Sequence, residues 1–220
     1  MKKAILSVFA VPFILAPAVM LAQSGMKPTA ATYITDEDVK TVNALPGVDR
    51  QIKVVDIGNE NFAVGIVHRG ATGAARGAAP AGGGAAGAGR AAAPPAEPCG
   101  DASTAPATGA TAGGISHDQQ TEGYLIVSGG GTMVTGGHII NGRKSGPTNE
   151  VTTTLNGPSC SGAIGGADVV RKVVKTGDIV IIPAGVPHGW ADITDHVDYL
   201  SFRPSARVLA AGYVNPALKK

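Results

Sequence analysis

Hydrophobic and polar positions alternate in short runs along most of this chain, and that alternation predicts strands. Phe62, Val64, Ile66 and His68 fall on one face of a strand over 62–68 by the two-residue period, and 52–57 forms the strand before it. A third runs from Glu122 to Val127 and stops at Gly129-Gly130-Gly131. Further short runs follow at 132–135, 138–140, 151–155, 169–174, 178–182, 188–193 and 197–202. Helix signals are few. Thr35 is placed to cap a short N-terminal helix whose first turn carries Asp36, Glu37 and Asp38, and Pro46-Gly47 closes it. One helical turn is predicted near the end, from Ser205 to Ala211, stopped by Gly212. Many short strands between Gly, Pro and Asn turns indicate an all-β fold, an antiparallel sandwich or barrel.

Two stretches break the pattern. Residues 70–114 contain no Val, Leu, Ile, Met, Phe, Tyr or Trp and are mainly Ala, Gly, Pro and Thr. Nothing in such a segment offsets the entropy of ordering it, so it is expected to be a disordered, low-complexity insertion between two strands. The start is the other exception. Met1-Lys2-Lys3 precedes an apolar run from Ala4 to Leu21 and then polar Gln23-Ser24, the layout of a signal peptide over 1–22. Cleavage after Ala22 is favoured, with Ala16-Pro17-Ala18 as a second candidate; a retained membrane anchor is the alternative, against which Pro12 and Pro17 speak. Export to the periplasm or outside the cell is therefore expected, with residues 23–220 forming one domain that is not held to the membrane.

Composition sharpens this picture modestly. With 220 residues and 44% hydrophobic content, the chain has enough to bury one core. The formal charge is +2, and loss of Lys2 and Lys3 brings the basic residues level with the 16 acidic ones. No basic cluster remains to follow a phosphate backbone, which argues against nucleic acid as a partner. The two cysteines, Cys99 and Cys160, lie in loop-like surroundings and are too far apart in sequence for a C-x-x-C site. In an oxidising compartment a loop-to-loop disulfide is favoured over two free thiols.

The most informative segment is Gly177-Asp178-Ile179-Val180-Ile181-Ile182-Pro183-Ala184-Gly185-Val186-Pro187-His188. It reads as a turn, a buried strand, a tight Pro-x-Gly turn and a histidine opening the next strand. This segment resembles the second motif of the cupin superfamily, G(x)5-P-x-G-(x)2-H-(x)3-N, with Asp192 where the motif has Asn. The first motif, G(x)5-H-x-H-(x)3,4-E-(x)6-G, is matched by His117, Glu122 and Gly129, while Ile115 stands where its first histidine would be. The resemblance spans about 62–202 and implies a jelly-roll β-barrel, frequently a homodimer in this family.

Carried over position by position, the resemblance gives His117, Glu122 and His188 as metal ligands. Two histidines and a carboxylate suit Zn, Mn, Fe or Ni and leave positions open for water and a small molecule. Glu122 and Tyr124 share a strand face, as do His188 and Trp190, so Tyr124 and Trp190 are expected to line the pocket. His68 and Gln119 are candidates for a fourth donor. Two functions fit: a metal-dependent enzyme acting on a small molecule, as an oxidoreductase or isomerase, or a non-catalytic module of the cell envelope that binds or senses a small ligand. No nucleophile motif such as G-x-S-x-G is present.

Overall fold

The computed structural model describes residues 29–72, 96–104, 111–205 and 208–219. The signal segment 1–22 and most of the predicted insertion lie outside the described residues.

Helix α1 (Asp36–Asn43) opens on the Thr35 cap the sequence predicts, with the Asp38 backbone N–H donating to the Thr35 hydroxyl, and the structure adds a reciprocal bond in which the Asp38 carboxylate accepts from the Thr35 backbone N–H. The strands are β1 (Asp49–Asp56), β2 (Asn61–Gly70), β3 (Pro98–Cys99), β4 (Thr111–His117), β5 (Glu122–Thr135) and β6 (His138–Lys144). After a π-helical turn at Val151–Leu155 come β7 (Ser159–Gly165), β8 (Val170–Lys175), β9 (Ile179–Ile182), β10 (His188–Ala191) and β11 (His196–Ser205). They form two antiparallel layers. One runs β1-β2-β11-β5-β9 and the other β8-β5-β10-β4-β7-β6-β3. The fold is an antiparallel jelly-roll barrel with one short N-terminal helix.

Strand β5 belongs to both layers, and its glycines explain how. The sequence suggests that a strand ends at Gly129-Gly130-Gly131, yet β5 continues through them to Thr135. Gly129 has φ +67°, and a Cβ there would lie 2.0 Å from the His196 carbonyl oxygen; one on Gly130 would lie 2.4 Å from that of Val174. Bare glycine lets the strand bend and cross from one layer to the other without a break in pairing. Between the layers sits the main core, built on Tyr124, Ile126, Met133, Trp190, Val197 and Tyr199. A second core lies outside the barrel, where Val42 of α1 packs on Ile52 and Ile66.

Three further expectations need correction. The segment 151–155 is a π-helical turn rather than a strand. Here local polar bonds win over the β preference of Val and Thr: the Asn149 side chain accepts from the Val151 N–H, and the Thr153 hydroxyl donates to the Asn149 carbonyl. Ser205 ends β11, residues 208–211 are not helical, and the short helical turn near the end is a 3-10 turn at Pro216–Leu218 under an Asn215 cap. The span 70–114 is also too broad for an unpacked insertion, because β3 and the start of β4 fall within it. Cys99 and Cys160 are joined there by a disulfide, which ties β3 to β7. No helix among the described residues is long and apolar enough to cross a membrane.

Candidate metal centre

His117, Glu122 and His188 come from the ends of three strands and meet inside the barrel. Glu122 opens β5 and is paired with Ile182 of β9, while His117 closes β4 opposite Ser159 of β7. His188 starts β10 after Val186 and Pro187, which follow the Pro183-Ala184-Gly185 turn. Gly185 has φ +80°, and its N–H donates to the His117 carbonyl at 2.7 Å, which fastens the turn of one histidine to the strand of the other. All three side chains are buried, at 2%, 1% and 4% exposure, and their ligand atoms lie within 4.8 Å of one another.

The hydrogen-bond pattern fixes what these atoms offer. The Ser159 hydroxyl donates to the Gly157 carbonyl at 2.9 Å, so toward His117 Nδ1, 2.8 Å away, it acts as acceptor. His188 Nδ1 faces the Val186 carbonyl at 3.0 Å, which also only accepts. Both rings thus carry their proton on Nδ1, and both Nε2 lone pairs point at Glu122 Oε2, each at 3.1 Å. Three acceptors facing one another across such distances fit a bound cation. That is the test a metal site has to pass, and the donor set of two imidazoles and a carboxylate matches a divalent transition metal.

Burial supports the same protonation state for His117. Burial pushes the His117 pKa below its ordinary 6.5 against the opposing pull of Glu122, which keeps the ring neutral and ligand-competent. Burial alone would raise the Glu122 pKa, but the groups packed around the carboxylate, the charged Arg203 guanidinium among them, hold it well below the usual carboxylate range. Arg203 Nε donates to Glu122 Oε1 at 2.9 Å and the Ser201 hydroxyl does so at 3.0 Å, while the Arg203 guanidinium also pairs with Asp49. Tyr124 donates its hydroxyl to Glu122 Oε2 at 2.6 Å. Burial, with Glu122 beside it, pushes the Tyr124 pKa well above 10.0, so this phenol keeps its proton.

Tyr124 lies in the barrel next to the cluster, as its strand parity predicts, and Trp190 packs 5.4 Å from the ring of Tyr199 with its Nε1 lacking a partner among the described residues. The two candidate fourth donors are elsewhere. His68 is an exposed residue paired with Asp198 at 2.6 Å. Its face of β2, with Val64 and Ile66, is apolar because α1 covers it from outside, so the alternation marks the helix contact and not the barrel interior. Gln119 is exposed on the β4–β5 connection, and its neighbour Gln120 is the buried one, donating to the Leu155 carbonyl at 3.2 Å. Ile115 holds the ladder position opposite His188 and offers no donor. Asp192 has φ +51°, a conformation that Asn and Asp adopt more readily than other side chains, which accounts for the exchange of one for the other at this motif position.

Ser201 and Arg203 are site residues the sequence reading does not reach. The signal is present: they share parity with Val197 and Tyr199 along β11, whose burial alternates strictly. Asn156 and Ser159 carry no such periodic mark.

No protein-family model and no curated protein matches the chain. Among solved structures it is similar to an uncharacterized conserved protein with a double-stranded β-helix domain from Klebsiella pneumoniae, at 15% identity and TM-score 0.35, over 81% of this chain and 93% of that one. It is also similar to hydroquinone 1,2-dioxygenase from Sphingomonas sp. TTNP3, at 12% identity and TM-score 0.33, over 86% and 90% of the two chains. A third likeness is to peruvianin-I, a cysteine peptidase from Thevetia peruviana latex, at 10% identity and TM-score 0.30, over 79% and 76%.

Proposed function

We propose that this chain is an exported metalloprotein of the cupin type that holds one divalent transition metal on His117, Glu122 and His188 and transforms a small oxygen-bearing molecule in its barrel. The observation that carries this reading is the convergence of two unprotonated imidazole nitrogens on one carboxylate oxygen, each at 3.1 Å. When bound, the metal would supply Lewis acidity toward an oxygen atom of the substrate. The protein's own groups hold everything else in place. Arg203 and Ser201 fix one carboxylate oxygen of Glu122, Tyr124 keeps a phenolic proton beside the other, and Ser159 and Val186 orient the rings. Outside the cytosol Fe(II) is readily oxidised, which favours Zn or Mn as the resident ion.

Arg69 suggests the substrate's charge. It shares the inward parity of Val67 on β2 and donates Nε to the Tyr199 hydroxyl at 3.1 Å, with no carboxylate partner among the described residues. A guanidinium so placed suits a small molecule carrying a carboxylate.

Metal analysis of untagged protein, before and after reconstitution, tests the reading. One equivalent in the native protein and loss in His188→Ala and Glu122→Ala are expected. Less than about a tenth of an equivalent after reconstitution would sink it. With metal bound, turnover of small keto acids and carboxylated phenols should exceed that of their uncharged analogues, and Arg69→Met should remove that preference.

A further inference from the structure

The three-ligand cluster lacks the histidine that its motif would place at Ile115, and the structure puts another donor beside it. Asn156 follows the π-helical turn, is 8% exposed, and brings its amide within 3.2 Å of His117 Nε2. In the orientation recorded, Nδ2 faces the ring nitrogen and Oδ1 is buried with no hydrogen-bond partner among the described residues. We propose that Asn156 is the fourth protein ligand of the metal, binding through its amide oxygen. This rests on the three-ligand reading above.

The argument is electrostatic. A metal on His117 Nε2 takes up the lone pair that Asn156 Nδ2 donates to. The amide would then aim an N–H at a cation while its oxygen stayed unsatisfied, an arrangement that costs on both counts. A half-turn of the amide exchanges its two ends, which are close to the same size, and presents oxygen to the ion. The spacing is right for this. Metal–nitrogen bonds of about 2.0–2.1 Å put neighbouring ligands about 3.0–3.4 Å apart. Asn156 stands 3.2 Å from His117 Nε2, much as Glu122 stands 3.1 Å from it.

Asn156 is also held in place. Its backbone N–H donates to the Val151 carbonyl at 2.7 Å, and the preceding Leu155 carbonyl accepts from Gln120 and from Arg203, each at 3.2 Å. Gly157, which follows it, has φ +72°, and a Cβ there would sit 2.1 Å from the Val208 side chain. Its carbonyl takes the Ser159 proton that sets the His117 tautomer. One short segment, 155–159, thereby places a donor and orients a second.

Co(II) is the probe, because its visible absorption reports the ligand set independently of any activity. The full-length protein and the Asn156→Ala, Asn156→Asp and His188→Ala variants are titrated with Co(II) against a competing chelator. Expected are one Co(II) in the parent protein, affinity at least about tenfold weaker with altered bands in Asn156→Ala, recovery in Asn156→Asp, whose carboxylate oxygen replaces the amide oxygen, and loss in His188→Ala. Parent-like affinity and bands in Asn156→Ala, with loss in His188→Ala, would overturn the fourth ligand and leave the three-ligand site standing. Weakening without a band change, and equal in the Asp variant, would reduce Asn156 to a structural role and also overturn it. Failure of the parent protein to bind Co(II) would remove the metal site itself.

Discussion

Ser159 decides which nitrogen of His117 faces the carboxylate. Its hydroxyl sits 2.8 Å from Nδ1 and has already given its proton to the Gly157 carbonyl, so the ring must donate to it and turn a bare Nε2 inward. The relationship crosses the β4–β7 pairing, where the two residues are register partners. Replacing Ser159 with Ala frees the ring to take its other tautomer. Metal stoichiometry should stay at one while affinity falls about 10–100-fold, read by chelator competition with Zn(II). Unchanged affinity would mean that something else holds the tautomer.

Arg203 is 1% exposed and lies between Glu122 and Asp49, which gives its removal a different signature. Burial works against the guanidinium's charge, and the two carboxylates more than restore it. Arg203→Met leaves Glu122 buried without its cationic partner, which typically costs about 3–5 kcal/mol. Urea denaturation of the metal-free protein should show that loss as a lower midpoint. Lys40→Met, which removes the exposed pair with Asp36, should leave the midpoint where it is.

These residues also show where sequence reading stops. His117, Glu122 and His188 are legible because turn chemistry fixes their spacing, above all in Pro183-Ala184-Gly185. The barrel is legible because its strands alternate. Which face of β2 points inward is not, since α1 makes the outer face apolar as well. Asn156 stands 39 residues from His117 and arrives on a π-helical turn that strand propensities conceal. Arg203 is recoverable only when its parity with Tyr199 is taken seriously, against the habit of placing arginine on the surface.

Acidity should weaken the metal-free fold along a defined course. The folded protein holds the pKa of His117 below 6.5 and that of Glu122 well below 4.5. In the unfolded chain both groups take protons at their ordinary values, so the unfolded state binds more protons as pH falls. The stability from these two sites is present above pH 6.5, declines below it as unfolded His117 protonates, and declines further below 4.5 as Glu122 follows. Thermal midpoints between pH 7.5 and 4 should fall, and the Glu122→Gln variant should lose the lower part of that fall. A flat profile would contradict the assigned charge states.

The disulfide gives a final test, because it links stability to the site. Cys99 and Cys160 are 61 residues apart in sequence, and closing a loop of that size in the unfolded chain stabilises the fold by about 4 kcal/mol in the chain-entropy model. Cys160 is the neighbour of Ser159 on β7 and the register partner of Ser116 on β4. Reduction therefore loosens the strand pair that carries both His117 and the residue orienting it. The reduced protein, and the Cys99→Ser/Cys160→Ser variant, should unfold at lower temperature and bind Zn(II) more weakly than the oxidised form. If both lose stability while Zn(II) affinity is untouched, the β4–β7 pair keeps its geometry without the cross-link. Two alkylatable thiols in the native protein would show that the bond is not formed at all.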